Sequence, residues 1–298
     1  MKTRKSVSLK ILTGIGTVVI FLLTMTIGSF AAGPTWNQTY FEAKKLGEQG
    51  KWAEALRTAK LALERAGVAF GAESLNAAKS DILLGDLWAL RGKFVSAQMH
   101  YLRGQNLLEK ILGSNHPTLV GPLTRLGDLY ATHGKIDKAA LTYAKVIETS
   151  DTNGRSHDPS LTGALIGSAG ISRKEGKNAE AEACLNRAMA LCETYKKYDA
   201  SLNVLAARTL NDLAEIHTSR SHFSKAAECY HKALIVLGTG HDGDKLLRCS
   251  ILTKLAETHA KRGSTTLARN YHNRAMALNA LVKGPTAAAM PGFNQSQP

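Results

Sequence analysis

Aromatic residues are scarce, 6% of 298, and the seven prolines sit mostly at the ends of the chain or between alanine- and leucine-rich stretches. Strands draw on aromatic and β-branched residues and helices on alanine and leucine, so the shortage points to an all-α chain. Cysteine is missing from the N-terminal half, and Cys184, Cys192, Cys229 and Cys249 form no Cys-x-x-Cys pair. Neither a zinc ribbon nor a thioredoxin-like site is indicated. An even number permits one or two disulfides in an oxidising compartment, and four free buried thiols are the plainer reading. No His-Glu-x-x-His pair and no Gly-x-Ser-x-Gly elbow occurs, and no nucleophile, base and orienter can be assembled, so the chain does not read as an enzyme. With 44% hydrophobic residues, disorder throughout is excluded.

The first 34 residues differ from everything after them. Lys2, Arg4, Lys5 and Lys10 lead into an uncharged, largely apolar run from Ile11 to Ala32. This is the charge-then-hydrophobe order of a secretory signal, with small residues around Ala31 for cleavage. The run is also long enough to cross a bilayer as an uncleaved anchor. Both readings place the remainder outside the cytoplasm, periplasmic, extracellular or held at the membrane by residues 1–31. The leader takes four basic residues and no acidic one from the formal charge of +14, leaving +10. A basic exported protein meets anionic lipid, acidic glycan or an acidic partner sooner than nucleic acid. Here, however, lysine and arginine are scattered among glutamates, the pattern of a solvated surface.

An internal repeat organises the rest. Gly50, Gly92, Gly134 and Gly176 stand 42 residues apart, Ser221 takes the fifth place after a step of 45, and Gly263 follows 42 later. Seven residues before each comes a small residue: Ala43, Gly85, Gly127, Ala169, Ala214 or Ala256. Five after comes alanine: Ala55, Ala97, Ala139, Ala181, Ala226 or Ala268. Small residues let two helices cross closely, and a bulky neighbour one turn away, such as Tyr101 or Tyr143, fills the remaining space. Glycine takes the positive φ of a sharp turn. One helix pair cannot bury its apolar stripe on both sides but a stack of pairs can, so six units form one stack. In the fourth unit, Gly163, Gly167 and Gly170 predict the least stable helix, and the polar stretch Asp151 to Ser160 before it a flexible joint.

Leu84-Gly85, Trp88, Gly92, Phe94, Ala97 and Tyr101, with Leu126-Gly127, Tyr130, Gly134, Ile136, Ala139 and Tyr143, closely resemble the tetratricopeptide repeat (TPR) signature. The 42-residue step, the stretch Leu112 to Pro117 and the string Thr209 to Ala214 resemble the long-helix variety typified by kinesin light chains. The resemblance implies a right-handed solenoid of about six antiparallel helix pairs over residues 35–282. A Gln/Asn/Pro-rich segment, 283–298, reads as a disordered tail.

Two chemical-looking features read as packing or turns. The string from Gly238 to Gly243 fits Gly-x-Gly-x-x-Gly, but a helix pattern precedes it where a dinucleotide fold needs a strand, and Asp242 and Asp244 lack the rest of a calcium loop. Six of ten histidines fall between His217 and His272, with His217 and His259 at equivalent places where the family packs a ring. No cofactor and no metal is expected. What remains is a binding surface. The resemblance implies that the residue after each small residue faces a concave groove: Lys44, Asp86, Asp128, Gly170, Glu215 and Glu257. Its neighbours there include Tyr40, Ile82, Arg125, Arg173, Arg208, Asn211 and Lys254. Four acids in six places predict a local negative field that selects a basic protein or peptide segment, and Asp86 and Asp128 are expected to be replaceable by lysine without loss of melting temperature. A non-enzymatic scaffold or adaptor in the cell envelope follows, with an anionic glycan- or lipid-binding module as the alternative. Membrane contact is expected only through an uncleaved leader.

Overall fold

A computed structural model describes residues 34–199, 201–238 and 245–283. The leader, the glycine-rich string beyond Gly238 with Asp242 and Asp244, and the tail from 284 lie outside the described residues. Among the described residues there are twelve α-helices and no strand. They are α1 Trp36–Glu48, α2 Trp52–Phe70, α3 Leu75–Leu90, α4 Phe94–Leu112, α5 Val120–Thr132, α6 Ile136–Thr152, α7 Thr162–Lys174, α8 Asn178–Tyr195, α9 Leu202–Ser219, α10 Phe223–Leu237, α11 Lys245–Lys261 and α12 Thr265–Lys283. Consecutive helices pair as the repeat predicts. The chain divides into two compact units, one ending at Leu107 and the other starting at Leu108.

Local chemistry sets the helix ends. Thr35 caps α1 reciprocally, its hydroxyl accepting from the Gln38 amide at 3.4 Å and its own amide donating to Gln38 Oε1 at 2.7 Å. Between the helices of each pair the same turn recurs six times. Gly50, Gly92, Gly134, Gly176 and Gly263 take φ from 67° to 78°, and Ser221 takes 61°. The next residue's amide then reaches back to the helix it has left: Lys51 to Leu46, Lys93 to Trp88, Lys135 to Tyr130, Lys177 to Ser172, His222 to His217 and Ser264 to His259, at 2.8–3.0 Å. Ser221 is the only non-glycine with positive φ among the described residues. A side chain in that region costs about 1–2 kcal/mol, and glycine returns part of this through unfolded-state entropy, so Ser221→Gly should stabilise by about 0.5–1 kcal/mol. Urea melts check this, and an unchanged or lowered midpoint would refute strain at the turn.

The alanines after the turns are the contact points. Ala55, Ala97, Ala139, Ala181 and Ala226 are fully buried, while Ala268 in the last pair is half-buried. In the first unit Ala43, Leu46, Ala55, Ala59, Leu84 and Leu87 form one core, and in the second Ala207, Leu210, Ala214, Ala226, Tyr230 and Leu255 form another. The glycines of α7 differ from the sequence expectation. A Cβ on Gly167 would stand 2.3 Å from Tyr143 Cζ, so this glycine exists to let the ring lie against the helix. The preceding stretch is tied by local bonds. Arg187 grips Asp151 through both guanidinium nitrogens, at 3.1 and 2.5 Å, and donates to the Ser156 carbonyl at 3.0 Å. Asp158 Oδ1 accepts from the amide and hydroxyl of Ser160 at 2.9 and 2.6 Å, opening the turn Pro159–Leu161 that leads into α7.

Candidate functional site

Two of the expected groove acids are tied to tyrosines of their own helix pair. In the first unit Tyr101 donates its hydroxyl to Asp86 Oδ1 at 2.7 Å while its ring lies over Gly85. In the second, Tyr143 donates to Asp128 Oδ1 at 2.5 Å with its ring over Gly127. Asp128 reaches solvent on one side, but nearby protein takes much of its hydration. That raises its carboxyl above the usual range, against the opposing pull of Tyr143, Arg208 and Arg125. The buried hydroxyl of Tyr143 is pushed up by burial and by the Asp128 charge. Both acids therefore brace tyrosines, and replacing them with lysine would leave buried hydroxyls without acceptors and melt the protein earlier, contrary to the sequence expectation.

Four further groove residues, Arg173, Asn211, Glu215 and Lys254, come together in the second unit. Glu215 on α9 accepts from Arg173 on α7 through Oε2 and from Lys254 on α11 through Oε1. Asn211, one turn before it, donates to Asp212 at 3.1 Å and to Glu215 at 3.5 Å, and accepts from Lys254 at 3.4 Å. Three successive first helices are thereby joined by a chain of alternating charge. Arg173, Glu215 and Lys254 line one cavity of about 440 Å³ with Tyr230, Glu257 and Lys261. Glu257 and Arg208 are exposed and make no ion pair among the described residues, though Arg208 lies close enough to Asp128 and Asp212 to oppose in part the burial that raises both carboxyls. The groove is thus of mixed sign, because the cations at 173 and 254 answer the acid at 215. Lys44 is exposed, Gly170 half-buried, and Tyr40 stacks with Trp36 at 5.2 Å between ring centres. Ile82 is a core residue, packed against Gly104.

Sequence reasoning missed a buried charge cluster in the first unit. Asp81 is fully buried and lies 3.0 Å from His100 Nδ1 and 3.2 Å from Arg103 Nε on the paired helix. A carboxylate immediately before the apolar run from Ile82 to Leu84 was the visible signal. Near the C-terminal end, His259 is buried and stacks on Tyr271 at 5.4 Å, with both ring nitrogens unpartnered, and burial lowers its pKa. The packing role expected for His259 fits this geometry. All four cysteines are free, and burial pushes the Cys192 thiol up to about 11, with Cys184 and Cys229 also raised. Such thiols are poor nucleophiles. Among the described residues no three histidine, cysteine, aspartate or glutamate side chains gather as a metal site would need, and no helix is long and apolar enough to cross a membrane.

The fold is the TPR-like repeat of helix pairs. No protein-family model matches the sequence, and no curated protein does. Solved structures do. BtubC (BKLC) from P. vanneervenii is 21% identical with a TM-score of 0.60, covering 89% of this chain and 98% of its own. A Podosopora anserina kinesin-light-chain protein with nearly identical TPR-like repeats is 18% identical with a TM-score of 0.54, covering 71% of this chain and 99% of its own. The Cut9–Hcn1 hetero-tetramer is 14% identical with a TM-score of 0.63, over 84% of this chain and 42% of its own. At these identities the likeness is one of fold.

Proposed function

We propose that the chain is a non-catalytic scaffold that holds a partner protein segment in the groove of its C-terminal repeats, outside the cytoplasm. The observation carrying this is the open, mixed-charge surface of Arg173, Glu215, Lys254 and Glu257 presented by successive helices. The Cut9–Hcn1 hetero-tetramer offers a parallel for a TPR-like protein held in an assembly. The pairing within the groove rigidifies it, while Glu257 and Arg208 remain to bind, the first a basic and the second an acidic residue of the segment. Each exposed pair contributes under about 1 kcal/mol, so reversing both charges with Arg208→Glu and Glu257→Lys should weaken the complex about tenfold, more at low salt; an acid at position 208 also faces the carboxyls of Asp128 and Asp212 and lowers the melting midpoint, so affinity is read well below it. Crosslinking in intact cell envelopes supplies the partner, and titration with it reads the effect. Equal affinity of the double variant and the native chain would move recognition to another face.

The exported location rests on the leader. N-terminal sequencing distinguishes a mature start at Ala31 or Ala32 from an anchored chain beginning at Met1. The +10 charge left after the leader favours one second reading, binding to an anionic glycan or lipid surface. Adsorption to anionic but not to neutral vesicles, lost as salt is raised, would establish it in place of the scaffold.

A further inference from the structure

Several arginines of the second unit, Arg155, Arg173, Arg187 and Arg220, each hold a carboxylate, those of Asp158, Glu215, Asp151 and Glu182. Arg248 on α11 and Arg274 on α12 hold none among the described residues, and both line one cavity of about 390 Å³. That volume is within the range of small-molecule sites, roughly 300–1,000 Å³. The remaining wall is apolar or flat: Leu234 from α10, Leu252 from α11, the Tyr271 ring and the His231 imidazole. Tyr271 stacks with His259 at 5.4 Å between ring centres, has the Arg274 guanidinium 5.5 Å from its own centre, and holds its hydroxyl 3.5 Å from His231 Nε2. Burial first, then the Arg274 charge, lowers the His231 pKa, so at neutral pH the site's positive charge belongs to the two guanidinium groups. Among the described residues Arg248 spends one weak bond, 3.5 Å, on the Leu237 carbonyl and its other donors have no partner.

We propose that this cavity binds a small amphiphilic carboxylate, its charged end between Arg248 and Arg274 and its apolar body on Leu234, Leu252 and the Tyr271 ring. Guanidinium forks match carboxylate geometry, and the leucines have no use for a polar body such as a nucleoside or sugar. The site is separate from the scaffold groove and does not depend on it.

The full chain is titrated calorimetrically with sodium octanoate, 1-octanol and sodium acetate. Octanoate should bind saturably at one site, at least about tenfold tighter than either of the other two, since each lacks one half of the contacts. Arg274→Gln, at an exposed position, should weaken octanoate about tenfold with melting unchanged, and Arg248→Gln likewise. Octanol binding as tightly as octanoate, acetate doing so, or unchanged affinity in Arg274→Gln would each overturn the proposal. So would unsaturable uptake of octanoate.

Discussion

Gly167→Ala should lower the stability of the protein by about 3 kcal/mol, whereas Gly170→Ala, one turn further along the same helix, should raise it by about 0.5–1 kcal/mol. Both glycines are helical, so alanine gains helix propensity at either place. The difference lies in what the new methyl meets. At 170 there is nothing within 4 Å, and the propensity gain stands alone. At 167 the methyl would lie 2.3–2.7 Å from three atoms of the Tyr143 ring. That ring is almost fully buried, lies against Gly127 as well, and is anchored by its hydroxyl on Asp128. It cannot slide aside without breaking the bond or opening a cavity, so overpacking outweighs propensity. Urea denaturation of the two variants against the native chain gives both numbers. A Gly167→Ala variant as stable as the native chain would show that the ring has room to move, and with it that the glycines of α7 are not there for Tyr143.

The second large effect belongs to the first unit. Asp81→Ala should cost about 2–3 kcal/mol, toward the low end for removing one member of a buried ion pair. The carboxylate is fully buried and holds His100, nearly buried itself, and Arg103, whose side chain is 54% exposed. With Asp81 gone, Arg103 can turn into water, which is why the cost falls short of stranding a charge. His100→Ala leaves the acid inside with a single, half-exposed cation and should cost about as much. Circular dichroism melts of the two single variants and the double variant form a cycle. Strict additivity in that cycle would mean that the two side chains do not interact, and the cluster would then be incidental to the stability of α3 against α4.

The turns and alanine contacts were legible because they repeat: a position that must take positive φ, or admit a neighbouring helix, imposes the same residue type every 42 residues. The groove was less legible because the same rule locates a position and says nothing of its partner. Asp86 and Asp128 occupy equivalent places with Glu215, yet the first two meet a tyrosine fifteen residues on while the third meets Arg173 and Lys254. Glu215 also has Tyr230 at that distance, so spacing alone could not have separated the cases. The deciding factor is the charge on the flanking first helices, a contact between repeats rather than within one. Gly167 misled for a related reason. Propensity counts a helical glycine as a loss, and the ring that requires it comes from the preceding pair.

The side-chain bonds described above span at most 43 residues, Asn211 to Lys254. None of these joins residues more than about one repeat apart. A chain whose contacts are this local has little loop entropy to overcome before each contact forms, so folding should be fast for its length and able to begin in either unit. The same locality makes the repeat a unit of inheritance. Duplicating 42 residues in register would add a helix pair with its own turn, alanine contact and inter-repeat bonds, and would lengthen the binding surface without rewriting the neighbours.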